Sequence, residues 1–148
     1  MSLLKINKID NYMLTTNFNA KEFFCKAKDV EEHDFDMLLV IACQVVRSWY
    51  NKPIQITSTF RSLSTNTLTV GAASSSQHLL GRAVDFKIMA LDGSVDMKST
   101  EDFHNSIITK GELFEELHKI GIRGFGLYEN RTHLDTRKSF HFWNKKKH

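Results

Sequence analysis

Apolar residues recur at helical spacing through "DFDMLLVIACQVVRSWY", where Leu38, Ile41, Ala42, Val45 and Trp49 build a stripe. The spacing predicts a central core helix, ended by the Lys52-Pro53 step. "IQITSTF" then alternates Ile54, Ile56 and Phe60 against Gln55, Thr57 and Thr59, the period of a strand with one buried face, and Arg61 follows on the polar phase. "RAVDFKI" predicts a second strand, with Ala83, Asp85 and Lys87 on one face and Val84, Phe86 and Ile88 on the other. Upstream, Asn19 and Glu22 have the spacing of a capping box, with Phe18 as a staple partner, so a short helix is expected to start near residue 20. Downstream, "LDGS" reads as a turn and Thr100 as a cap. "EDFHNSIITKGELFEELHKIG" reads as helix broken at Gly111 and stopped at Gly121. "GFGLY" and "THLDTR" are two short strands. Residues 62–77 sustain neither period and read as a long loop, of a kind usually functional or mobile.

The 148 residues contain no repeat or linker, so residues 1–148 are expected to form a single domain. With 41% hydrophobic and 25% charged residues and one proline, disorder and fibrous architectures are excluded. The net charge of +3 owes much to Arg137, Lys138 and Lys145 to Lys147. Such a tail reads as a solvated end, and "FHFW" at 140–143 as a cluster packing the C-terminus onto the core, so no nucleic-acid partner is expected. No stretch of ~18 apolar residues could span a bilayer, and "MSLLKINKIDNYML" lacks the apolar run of a signal peptide. The expectation is therefore a chain made in the cytoplasm, with no membrane partner; a monomer is expected as well. Cys25 and Cys43 lack Cys-x-x-Cys spacing, which argues against a zinc ribbon or redox pair.

The candidate chemistry lies in and beside the predicted strands. His133 and Asp135 are two apart and leave one face of a strand. With His78 and Asp85 they supply two imidazoles and two carboxylates, enough for a catalytic zinc site, which characteristically uses three protein ligands and leaves a position for water. Plainer readings exist for each: His78 as a hydrogen-bonded loop residue, Asp85 as a turn cap or partner of Arg82, and His133 as a partly exposed strand residue. His33, His104, His118, His141 and His148 fall in no ligand pattern.

"SSQHLLGRAVDF" carries the Ser-x-His-x-x-Gly-x-Ala-x-Asp signature of the zinc D-Ala-D-Ala carboxypeptidases and related peptidoglycan peptidases, at Ser76, His78, Gly81, Ala83 and Asp85. The chain resembles the small single-domain branch of that family over residues 18–137, also through "NFNAKEFFC", "ITSTFRS", "NTLTVGAASSSQH" and "GFGLYENRTHLDTR". The resemblance implies an α+β fold, an antiparallel sheet flanked by helices, shared with the zinc-binding domain of hedgehog signalling proteins. It implies a zinc ion held by His78, Asp85 and His133. It also implies that Arg61 contacts the substrate or the developing oxyanion. Ser76 either orients the loop or bonds a substrate carbonyl, and Gln77 and Tyr128 complete the expected substrate-binding set. Several family members carry an acidic residue three positions before the last histidine ligand, where this chain has Asn130, which cannot accept a proton. Asp135 is then the expected general base, or else a carboxylate that orients a zinc histidine; Glu129 is the reserve. The implied function is zinc-dependent hydrolysis of a peptidoglycan peptide, of carboxypeptidase or endopeptidase type. The alternative is a non-catalytic zinc-containing module that binds the cell wall. A wall substrate without a leader segment suggests a phage lysis enzyme released by a separate permeabilising protein.

Overall fold

Period-2 segments far apart in the chain pair into a five-stranded sheet, and helices cover its apolar face. The architecture comes from a computed structural model that describes residues 3–62 and 76–146. The strands are β1 (Leu3–Asn7), β2 (Glu32–Asp36), β3 (Ile54–Ser58), β4 (Ala83–Ile88), β5 (Gly124–Leu127), β6 (Thr132–Asp135) and β7 (His141–Asn144). β1 and β2 pair as a two-stranded sheet, and the other five are ordered β3-β4-β6-β5-β7, antiparallel except for β5 with β7. Among the described residues the helices are α1 (Met37–Tyr50), α2 (Met97–Thr109) and α3 (Glu112–Ile120), none long and apolar enough to cross a membrane. This is the α+β arrangement expected from the resemblance. Of the predicted loop, residues 63–75 lie outside the described residues, as do Lys147 and His148 of the tail.

β4 follows its predicted alternation. Val84, Phe86 and Ile88 join Phe125, Leu127 and Leu134 in a core closed by Leu39, Cys43, Phe103 and Leu117 from the three helices. The opposite face of β4, β6 and β5 is thereby left for polar side chains.

Several expectations need correction. The stripe proposed for α1 has the right spacing and the wrong phase. Leu39, Val40, Ala42, Cys43 and Val46 are buried, while Ile41 and Trp49 are 36% and 46% exposed. The helix is apolar on two sides, and spacing alone does not say which side meets the sheet. The turn near residue 20 is a single 3-10 turn, Ala20–Glu22, although both arms of its capping box form. α2 is capped by Asp96, which accepts from Ser99 N at 2.9 Å; Thr100 is buried in the first turn. A bulge in β3 between Ile56 and Ser58 shifts the alternation, which buries Thr59 and leaves Phe60 only half-buried. The break at Gly111 and the stop at Gly121 (φ 119) are as expected. The "FHFW" segment contributes to β7, a parallel edge strand. The two-stranded β1–β2 sheet has no counterpart among the elements expected from periodicity.

Candidate metal centre

Strand register collects the polar side chains. Asp85 of β4 stands opposite Ser58 of β3 and His133 of β6, His133 opposite Gly126 of β5, and Gly126 opposite Trp143 of β7. One row across the sheet therefore reads Ser58, Asp85, His133, Gly126, Trp143. The next reads Ala83, Asp135, Gly124, His141. Register neighbours share a face, so Asp85, His133 and Asp135 all stand on the side away from the helices.

His78 reaches the same place from the 3-10 turn Gln77–Leu80 that precedes β4. Ser76 caps that turn, its hydroxyl accepting from His78 N at 3.2 Å. The turn ends on Gly81 at φ 69, where a Cβ would lie 2.1 Å from the Asp34 carbonyl oxygen of β2. Only glycine permits that approach, which seats the turn against the β1–β2 sheet.

One ligating atom from each of His78, Asp85 and His133 lies within 4.8 Å of the others, and all three residues are buried. Asp85 Oδ1 is 2.9 Å from His133 Nδ1 and 3.4 Å from His78 Nε2. The remaining nitrogen of each ring is anchored: His78 Nδ1 donates to the Thr59 carbonyl at 2.5 Å, and His133 Nε2 donates to Asp135 Oδ2 at 2.7 Å. Since a carbonyl and a carboxylate only accept, these bonds fix both tautomers and turn His78 Nε2 and His133 Nδ1 toward Asp85. Histidines that bind metals are characteristically held this way, so the donor set of two imidazoles and one carboxylate fits zinc.

Asp135 is fully buried and its oxygens are spent. Besides His133 it accepts from Arg137 Nε at 2.8 Å, Arg137 Nη2 at 2.7 Å and Arg137 N at 3.1 Å. Burial alone would raise its pKa, but the hydrogen bonds from His133 and Arg137 outweigh that and hold it at about 2. Asp85 is likewise held well below the usual carboxylate range, because in the absence of a metal the imidazoles of His133 and His78 that face it favour its charged form more than burial disfavours it. Burial would lower His133, yet Asp135 and Asp85 on either side raise it.

Two glycines of β5 make this packing possible. A Cβ on Gly124 would fall 2.1 Å from Asp135 Oδ1, and one on Gly126 would fall 2.4 Å from the Trp143 indole. Without those side chains, Asp135 settles over Gly124. Trp143 crosses Gly126 to cover His133 at 4.9 Å between ring centres. Its Nε1 donates to Tyr128 Oη at 3.0 Å, and the Arg137 guanidinium sits 5.4 Å from its ring centre.

Arg61 stands on the β3 side, its Nη2 3.8 Å from Asp85 Oδ2 and its backbone N bonded to the His78 carbonyl. Gln77 adjoins His78, and Tyr128 reaches the site through Trp143. Glu129 is exposed in the β5–β6 turn, at the other end of β6 from Asp135. Arg137, Thr59, Gly124 and Trp143 join the site without a role expected from the sequence. The spacing His133, Asp135, Arg137 on one phase was the available signal for Arg137. The Thr59 carbonyl and the indole act through a bulge and a parallel strand that periodicity does not foretell.

The Peptidase M15 family model matches residues 16–135, which includes the whole ligand group. No curated protein matches the chain.

Proposed function

The chain belongs to the peptidase M15 family, and on that premise we propose that it is a zinc-dependent peptidoglycan endopeptidase whose metal is held by His78, Asp85 and His133. Peptidases of this family are zinc-dependent in general and act on peptidoglycan peptides. The observation that carries the reading for this chain is the convergence of those three side chains with each imidazole anchored from behind.

Zinc bound there supplies Lewis-acid polarisation of the scissile carbonyl and lowers the pKa of water to about 7. Arg61, on the Asp85 side, offers a guanidinium to the negative charge that develops on the carbonyl oxygen. Asp135 holds His133 in its ligating tautomer. A buried carboxylate whose oxygens already accept from His133 and three times from Arg137 has no open position for a transferred proton, so the orienting role is assigned to it. The proton-carrying role goes to Glu129, the exposed carboxylate of the turn that leads into His133. Support for endopeptidase action is that cavities lie on two flanks of the ligand group, one bordered by Thr59 and Arg61, the other by Gln77 and Arg137. A peptide chain can thus extend both ways from the cut bond. For the setting we propose a phage lysis enzyme, tested by whether co-expression with a membrane-permeabilising protein is required for it to lyse cells.

The reading is tested by mass spectrometry of purified peptidoglycan incubated with the zinc-loaded protein. Internal stem or cross-link bonds should be cut, and a chelator should stop the cutting. Release of single terminal D-Ala residues alone would make it a carboxypeptidase. Asn130, at the family's usual base position, favours one competing reading: zinc-loaded protein that binds the wall without cutting it would be a recognition module.

A further inference from the structure

The cavity on the β6–β7 side has a volume of about 500 Å³ and is bordered by Gln77, Arg82, Arg137, Lys138, Ser139 and His141. None of its described lining residues is acidic, and it carries three permanent cations. Asp135, beneath Arg137, is paired with that guanidinium at 2.7 Å and does not itself line the cavity. The cavity on the β3 side differs, because Glu22 lines it together with Lys26 and Arg61. Positive charge is thus concentrated on one flank of the ligand group.

That flank is also preorganised. Arg137 spends Nε and Nη2 on Asp135 and rests beside the Trp143 ring, so little side-chain freedom remains to be lost when its guanidinium meets an anion. The backbone of Arg82 is held on both sides, its N–H donating to Gln77 O and its carbonyl accepting from Thr136 N, each at 3.1 Å. The cavity adjoins the reaction centre through covalent neighbours: Gln77 precedes His78, and Arg137 clamps the carboxylate that orients His133.

Resting on the peptidase reading, we propose that this cavity binds a free carboxylate of the peptide substrate beside the bond to be cut, so that the protein prefers wall peptides with that carboxylate to the same peptides amidated. Guanidinium and ammonium groups in a partly enclosed site form charge-assisted bonds to a carboxylate that a neutral amide cannot match.

The test is calorimetric titration of the metal-free full chain, which removes hydrolysis from the measurement. The probes are a stem peptide with a free α-carboxylate on D-Glu and its α-amide. The free-carboxylate peptide is expected to bind roughly fivefold tighter, in line with partly exposed charge pairs. Lys138→Glu should abolish that preference, whereas Lys145→Glu, the same charge change on an exposed residue outside the cavity, should retain it. Equal binding of the two peptides, or equal loss in both variants, would overturn the inference. So would glycerol 3-phosphate competing as well as the free-carboxylate peptide, since the site would then serve phosphate. Wall hydrolysis without a carboxylate preference sinks this inference alone, whereas a carboxylate preference without hydrolysis sinks the peptidase reading alone.

Discussion

Asp135 accepts from one histidine and three times from one arginine, and that crowding decides its role. Asp135→Asn keeps the shape and removes the charge. Zinc affinity should fall about 10- to 100-fold, with hydrolysis largely regained in excess zinc. Retained zinc with activity lower by roughly 10²- to 10⁴-fold would make Asp135 the proton carrier instead. A second buried histidine bears on stability. Among the described residues His104 hydrogen-bonds only with Thr132 Oγ1, at 2.8 Å, and burial, aided by Lys146, lowers its pKa to about 3. The folded chain then refuses a proton that the unfolded chain takes up below about 6.5, so stability falls with pH through the window from 6.5 to 3. The slope from this residue reaches about 1.4 kcal/mol per pH unit. Urea midpoints between pH 6.5 and 4.5 should show that slope, and His104→Leu should flatten it. At this scale residue type and strand period offer two histidines and two carboxylates, and it is the resemblance carried by the Ser-x-His-x-x-Gly-x-Ala-x-Asp signature that singles out His78, Asp85 and His133. The sequence is silent about Arg137, since an arginine in a basic tail looks solvated until its partner is known.

Elements were legible where one period ran cleanly. β4, β5, β6 and the broken helix pair α2–α3 follow from alternation, helical spacing and two glycines. α1 was legible as a helix but not in its facing, because both of its sides are apolar. Leu39→Ala should cost about 2–5 kcal/mol of unfolding free energy, whereas Ile41→Ala, on the outward side, should cost under about 1 kcal/mol. Guanidinium unfolding curves of the two variants check this. β7 escaped the reading because a short parallel edge strand has no local signature distinct from a packed aromatic cluster. Its importance rests on Gly126, whose missing side chain admits Trp143. Gly126→Ala should destabilise the fold by about 1–3 kcal/mol and lift the indole from His133, seen as a red-shifted tryptophan emission.

Across the whole molecule, the sheet divides the labour between its two faces. Alternate residues of β4, β5 and β6 build the helix-covered core, and their neighbours build the ligand group on the other side. Cavities of different charge border residues on either side of that group, the arrangement on which the proposed endopeptidase reading rests. The overall charge of +3 is legible in the sequence, but the gathering of Arg82, Arg137 and Lys138 beside Gln77 needed the fold to bring distant segments together. The most direct test of the account is a zinc titration of the parent chain and His133→Ala, with muropeptide release followed on the same samples. The account predicts that the parent binds one zinc ion per chain and releases fragments, and that the variant loses tight binding and release together. Zinc bound as tightly by His133→Ala as by the parent would contradict it.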